Sequence, residues 1–278
     1  MSSKSTIHHL SHDGYGGQKS EMYDKYRYGY APVQLSYMYS ALSKKVGLNV
    51  VEMGAGTGLF TRALLADPQW NASISEMKCS DPVEGMRGIF TQVIKDPRVT
   101  ISDGTFEESN VPDAWADVIF SATAFHWCND LEAAAQEFAR ILRPGGTIIF
   151  VWQMEDRKRW VEEMWQLGMI YQNITGKTMQ AFNQWRFHQI FNLPTFKANF
   201  HDPKQEDIKY IVQDGLEGVL NRFRTWSAIA ALPDDKREEV VLELAQIIEK
   251  GEDLEWVGRE EGIFKIPMAT PTIIIQRR

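Results

Sequence analysis

From residue 48 onward, short apolar runs alternate with longer segments whose apolar residues recur every three or four positions. Runs rich in Val and Ile, bounded by turn formers, read as buried strands, and the longer periodic segments as helices. Strands are predicted at 48–53, 74–80, 98–102, 117–122 and 146–152, with helices near 57–66, 83–95 and 130–142 between them. Such alternation calls for a parallel sheet covered by helices on both faces. The helix at 130–142 opens at Asn129-Asp130 and puts Leu131, Ala135, Phe138 and Leu142 on one face. It stops at Arg143-Pro144-Gly145-Gly146, which cannot continue a helix.

Beyond residue 152 the alternation ends. Helices are predicted at 156–173, 204–212, 215–231 and 233–250, the last opened by Pro233-Asp234-Asp235. Residues 262–268 and 271–277, separated by Ala269-Thr270, read as an antiparallel pair. The fold class is therefore α/β: a doubly wound, mostly parallel seven-stranded sheet with an antiparallel C-terminal hairpin and an inserted helical cap. The chain divides into an N-terminal arm and lid (1–40), a ligand-binding core (41–152), a helical substrate cap (153–260) and C-terminal strands that complete the core sheet (261–278). Residues 1–20, rich in Ser, Gly and His, read as a mobile arm. Tyr23, Tyr26, Tyr28, Tyr30, Tyr37 and Tyr39 follow in a helical segment broken near Gly29 and Pro32. They fit either amphipathic packing on the main domain or a lid over a ligand.

Composition narrows the classes. The chain has 278 residues, 44% hydrophobic, 24% charged and 12% aromatic, as an ordinary globular protein does. Thirty basic against thirty-seven acidic residues give a net charge of −7, and the basic residues are scattered, which excludes a phosphate-neutralising footprint for nucleic acid. Cys79 and Cys128 lack zinc-ligand or redox spacing, and His8, His9 and His12 have no carboxylate shell, so no metal is expected. No apolar run reaches the length of a spanning helix and the N-terminus has no apolar leader core. The expectation is a cytoplasmic monomer or weak homodimer acting on a small-molecule substrate, with neither nucleic acid nor membrane as partner. Arg157-Lys158-Arg159 and Glu162-Glu163 read as a solvated helix face, while Trp160, Met164 and Leu167 fit core or pocket lining equally.

The stretch Val50-Val51-Glu52-Met53-Gly54-Ala55-Gly56-Thr57-Gly58-Leu59-Phe60 runs from a strand through a glycine-rich turn into a helix. Glycines there let the backbone approach a ligand closely, so a nucleoside cofactor is expected. The dinucleotide fingerprint is GxGxxG, with a pyrophosphate at the helix start. Here the spacing is GxGxG and Glu52 precedes it; a carboxylate beside the loop repels a pyrophosphate and suits a sulfonium or ammonium. Asp81, in Cys79-Ser80-Asp81-Pro82-Val83-Glu84-Gly85-Met86, ends the second strand at the spacing of a ribose-binding acid. Taken singly, these pieces also fit a solvated strand-end acid, a helix cap and a turn.

Together with Leu142-Arg143-Pro144-Gly145-Gly146 before the fifth strand, these motifs resemble the class I S-adenosylmethionine-dependent methyltransferases, which have a Rossmann-like fold. Ala124-Phe125-His126-Trp127, Tyr23-Asp24-Lys25-Tyr26-Arg27-Tyr28-Gly29-Tyr30 and the stretch from Arg224 to Pro233 are similar to the small-molecule subgroup, the methyltransferase type 11 or trans-aconitate methyltransferase-like enzymes. The likeness spans about residues 20–278, with Tyr28 where relatives usually carry proline. It implies S-adenosyl-L-methionine as cofactor, with S-adenosyl-L-homocysteine as product. The implied cofactor residues are Glu52, Gly54, Ala55, Gly56, Gly58, Asp81, Pro82, Met86, Thr105, Phe106 and Ser121. The family often has an Asp where Thr105 stands, and Asp103, or backbone together with Phe106, is an alternative partner for the adenine amino group. Tyr23, Tyr26, Arg27, Trp127, Trp152 and Trp226 are the implied substrate contacts. His126 is the candidate base for a hydroxyl, phenol or thiol acceptor, or else an orienting residue; a carboxylate acceptor needs no base. The implied activity is metal-independent in-line methyl transfer to O, N or S, with carboxylate or hydroxyl favoured. A cofactor-binding regulator of the same fold and a nicotinamide-dependent oxidoreductase are the alternatives.

Overall fold

Val- and Ile-rich runs become strands where both faces can be buried, and in the computed structural model they do. It describes residues 18–157, 159–174, 186–251 and 253–278; the histidine-bearing arm with His8, His9 and His12 lies outside the described residues, as does Lys158. Strands β1 (Leu48–Met53), β2 (Ile74–Ser80), β3 (Val99–Ser102), β4 (Ala116–Ala122) and β5 (Leu142–Val151) are parallel, in the order β3-β2-β1-β4-β5. Between them run helices α3 (Leu59–Ala66), α4 (Pro68–Ser73), α5 (Glu84–Val93) and α6 (Leu131–Ile141), preceded by α1 (Gln18–Tyr26) and α2 (Pro32–Ser40). Asp130 caps α6 as expected, its carboxylate accepting from the amides of Glu132 and Ala133. From β1 the sheet grows in one direction through β2 and in the other through β4. That reversal opens a crevice at the carboxyl ends of β1 and β4, where ligands of such sheets bind.

The antiparallel part differs in detail from expectation. Residues 204–212 form not a helix but most of edge strand β6 (Lys204–Gly215). Past its charged start, half-buried Ile208, Tyr210 and Val212 alternate with exposed Lys209 and Ile211, the period of a strand. Residues 263–276 form one continuous strand, β8 (Ile263–Gln276), with no turn at Ala269-Thr270. Its prolines are tolerated because residues 267, 269 and 271 turn their backbone toward 152–156, beyond the end of β5. There the Ala269 amide donates to the Met154 carbonyl, while the Pro267 and Pro271 carbonyls accept from the amides of Asp156 and Trp152. The amides that the two prolines lack would face 152–156, so the pairing with β6 is untouched. The C-terminal hairpin instead joins β7 (Trp256–Gly258) to the start of β8, and β8 lies antiparallel between β5 and β6.

Helix α7 (Arg159–Ile174) precedes a 3-10 segment (Arg186–Asn192) and α8 (Pro194–Asn199). The helix predicted at 215–231 is two pieces, α9 (Leu216–Arg224) and α10 (Ser227–Ala230), because the Thr225 hydroxyl and amide both donate to the Arg222 carbonyl and end the first. Helix α11 (Asp234–Glu249) begins after Pro233 as expected. The region 153–260 thus supplies two sheet strands besides its helices. The N-terminal arm is tied across it: the Tyr28 hydroxyl donates to Asp214 at 2.9 Å, Arg27 to the Thr225 carbonyl at 3.1 Å, and buried Gln34 to Thr270 at 3.0 Å.

Behind the crevice, Phe125 stacks on Phe150 at 4.4 Å and meets Phe106, Phe138 and Phe187 edge-on or tilted within about 6 Å. Phe125→Ala should cost about 3–5 kcal/mol, measured by denaturant unfolding; a loss under about 1 kcal/mol would mean that the cluster does not support the fold.

Candidate functional site

The loop after β1 turns at three glycines with positive φ, and each is required for a different reason. Gly54 (φ 76°) leaves no room, since a Cβ would stand 2.5 Å from that of Ala124. At Gly58 (φ 86°) a Cβ would meet the Phe90 ring at 2.9 Å, so this residue serves the packing of α3 on α5 and does not line the crevice. Gly56 (φ 56°) has nothing within 4 Å of a Cβ position and faces open space. The loop is tied to the end of β2, where the Ser80 carbonyl accepts from the amides of Gly54 and Ala55 at 2.8 and 3.0 Å.

Asp81 completes the tie. One carboxylate oxygen accepts from the Gly56 amide and the other from the Val83 amide, both at 2.9 Å. Burial pushes the Asp81 carboxyl up to about 6 despite those donors. Glu52, 1% exposed, accepts from the Thr61 hydroxyl at 2.6 Å, and burial pushes it up to about 8. Neither acid forms an ion pair with Lys or Arg among the described residues; Arg87 reaches only the Asp81 carbonyl and Asp103. Beside them the Thr57 hydroxyl is buried without a hydrogen-bond partner among the described residues.

These groups line a cleft together with Ala55, Pro82, Met86 and Phe106. Also lining it are Tyr23, Arg27, Tyr28 and Tyr30 of the arm, Trp127 after β4, and Gln153 and Arg222 from the region after β5. Of the substrate residues expected from sequence, Tyr23, Arg27 and Trp127 reach the cleft. Several expected residues are not brought to it. Thr105 closes its own loop, its hydroxyl accepting from the amides of Glu107 and Glu108. Ser121 is buried inside β4, opposite Phe150. Trp152 is fully buried, stacks on Phe187 at 4.5 Å and donates its indole N–H to Nδ1 of His126, which is itself buried outside the lining. Trp226 packs on Trp165, Phe223 and Gly168 within the cap. Tyr26 lies under Lys25, off the cleft.

Some lining residues carry little sequence signal. Thr123, at φ 54°, is a non-glycine in left-handed backbone, a strain that recurs at functional sites. Its hydroxyl pairs with Tyr30 at 3.3 Å and accepts from the Gln153 amide at 3.2 Å. Arg222, 5% exposed, forms a buried ion pair with Glu155 and lies 4.5 Å from the Tyr28 ring centre. Tyr28, the departure from the usual proline, uses its hydroxyl to hold Asp214.

Residues 51–150 match the family described as a methyltransferase domain. The chain is 26% identical over 204 residues to malonyl-[acyl-carrier protein] O-methyltransferase of Serratia marcescens, covering 69% of this chain and 76% of that one. It is 30% identical over 146 residues to an uncharacterized methyltransferase of Mycobacterium tuberculosis, covering 52% of this chain and 55% of that protein. Among solved structures, a protein of Anaeromyxobacter dehalogenans described as a type II methyltransferase superposes with TM-score 0.62 at 17% identity, covering 89% of this chain and 97% of that one. Haemonchus contortus phosphoethanolamine N-methyltransferase 2, in complex with phosphomonomethylethanolamine and S-adenosylhomocysteine, gives TM-score 0.59 at 13% identity, covering 99% of this chain and 60% of that one. At those identities the structural likeness establishes the fold.

The raised Glu52 value carries a sign for stability. The folded state favours the neutral acid, so stability is full below about 4.5 and declines as pH rises toward about 8, where the folded-state carboxyl ionises as well. Glu52→Gln keeps an acceptor for Thr61 and removes the titration. Its unfolding free energy, measured in urea across that window, should fall less steeply with pH than that of the wild type; parallel profiles would show that Glu52 is not the titrating group.

Proposed function

We propose that this chain is an S-adenosylmethionine-dependent methyltransferase, as its match to the methyltransferase domain over residues 51–150 supports, and that its cleft seats the cofactor along the loop after β1 and admits a small-molecule acceptor from the side of the arm and cap. The acceptor receives the methyl group on O, N or S, with a carboxylate or hydroxyl oxygen favoured. When bound, S-adenosylmethionine supplies an electrophilic methyl group on a positively charged sulfur, which an acceptor lone pair displaces in line.

The observation that carries this reading is the acidic wall. Two buried acids, Glu52 and Asp81, form no ion pair with Lys or Arg among the described residues, and both line the cleft. A cationic nucleoside relieves that burial, whereas the pyrophosphate of a nicotinamide dinucleotide worsens it. In this reading Asp81 meets the ribose hydroxyls, and Met86 and Phe106 flank the base. The loop amides and the orphaned Thr57 hydroxyl hold the remaining polar groups. Tyr23, Tyr30 and Trp127 exclude water and hold the acceptor in line.

His126 is better suited to position its neighbours than to take a proton. It accepts from Trp152 and packs against Trp127 with ring centres 4.9 Å apart. That favours an acceptor that needs no base, a carboxylate. The working form is proposed to be a monomer or weak homodimer in the cytoplasm, acting without nucleic acid or membrane. Its net charge of −7 is in keeping with this, and among the described residues no helix is long and apolar enough to cross a membrane.

Thermal-shift titration tests the seat directly, since a ligand of the native state raises the melting temperature. S-adenosylmethionine and S-adenosylhomocysteine should both raise it and NAD should not. Asp81→Ala should weaken S-adenosylmethionine about ten- to a hundredfold, as loss of charge-assisted hydrogen bonds implies. Stabilisation by NAD alone, or unchanged affinity in the variant, would reject the assignment.

A further inference from the structure

The sheet has two edge strands, and they are guarded unequally. Strand β3, at one end, is only four residues long, so little of its backbone is open to another chain. Strand β6, at the other end, runs for twelve residues against β8 without a register shift and contains no proline. Because residues 267, 269 and 271 of β8 turn their backbone toward 152–156, the ladder between β8 and β6 is made by 206, 208, 210 and 212. Residues 205, 207, 209, 211 and 213 turn the other way, and their amides and carbonyls have no hydrogen-bond partner among the described residues. Their side chains are exposed too, Ile211 at 52%, and Lys209 has only a long ion pair, 3.8 Å from Asp156.

Charges on an edge strand commonly keep other chains away. Here their order admits one partner. Two copies of β6 meeting antiparallel, about a twofold axis that passes perpendicular to the sheet at Ile208, place Asp207 opposite Lys209 on both sides of the axis. The same register sets Gln205 opposite Ile211, Glu206 opposite Tyr210 and Lys204 opposite Val212, so no like charges face each other. Moving the axis to Glu206, Asp207 or Lys209 sets that charged residue against its own copy, and moving it to Tyr210 sets Glu206 against Asp214. The residues with unpaired backbone lie opposite one another about Ile208, as new ladder hydrogen bonds require.

We propose that β6 is a self-association edge, through which two copies of this chain pair over residues 204–212 in the antiparallel register centred on Ile208 and continue the sheet from one molecule into the next. A strand-edge contact is small against the roughly 1,600 Å² of a standard interface, so the dimer dissociates in the micromolar range.

Sedimentation equilibrium of the full chain from about 1 to 300 µM should show one chain passing to two. Over the same range the amides of 207, 209 and 211 should exchange hydrogen more slowly as concentration rises. Asp207→Lys sets a cation against Lys209 and Lys209→Asp sets an acid against Asp207, so each alone should weaken association about tenfold. The double variant exchanges the two charges and should return to within about threefold of the wild type. Ile211→Pro removes an amide that points off the sheet; it should leave the melting temperature and circular dichroism spectrum near those of the wild type and abolish association. Should Ile211→Pro unfold, the charge-exchange series decides alone. A wild-type chain that stays single throughout, undiminished association in folded Ile211→Pro, or a double variant no better than either single one overturns the proposal.

Discussion

The hydrogen bond from the Gly56 amide to the Asp81 carboxylate organises the rest of the site. It joins the loop leaving β1 to the first residue beyond β2, and with the two amides donated to the Ser80 carbonyl it holds the glycine turn over the crevice. Because Gly56 has no side chain, the tie leaves space above it, and because Asp81 is buried, the tie brings an acid to that space. One contact thus sets both the shape and the sign of this part of the cleft. The reversal of strand order between β1 and β4 puts the cavity there in the first place.

The remaining chemistry follows from what the arm and cap bring across. Arg27, Tyr28 and Tyr30 lie between α1 and α2, and each reaches a different partner: the Thr225 carbonyl after α9, Asp214 in β6 and Thr123 after β4. The aromatic arm thus packs on the core through Tyr37 and Tyr39 and lines the cleft with Tyr23, Tyr28 and Tyr30.

What was legible in the sequence was local. The glycine turn, Glu52 and Asp81 lie within or just beyond two strands whose limits the apolar pattern marks at the observed residues, 48–53 and 74–80. Their placement needed no knowledge of distant partners. Arg222 was illegible because a buried arginine depends on Glu155, far away in the chain, and Thr123 because its left-handed backbone is imposed by the surrounding strands. Trp152 and Trp226 have the residue type of pocket walls, but an aromatic side chain does not announce which side of a layer it will occupy, and both were taken into the core. Strand β6 was hidden for a related reason: its charged first residues resemble the start of a helix, and only pairing with β8 favours the extended form.

That pairing has a consequence for how the molecule is made. Strand β8 inserts between β5 and β6, so β6 and the cap flanking it are joined to the parallel half of the sheet through a strand that follows both in the chain. Until residues 263–276 emerge, β6 is extruded without its neighbour, and the wall carrying Arg222 has no sheet to rest on. The parallel half can form from segments already synthesised, whereas the half carrying Arg222 is a later, non-local assembly.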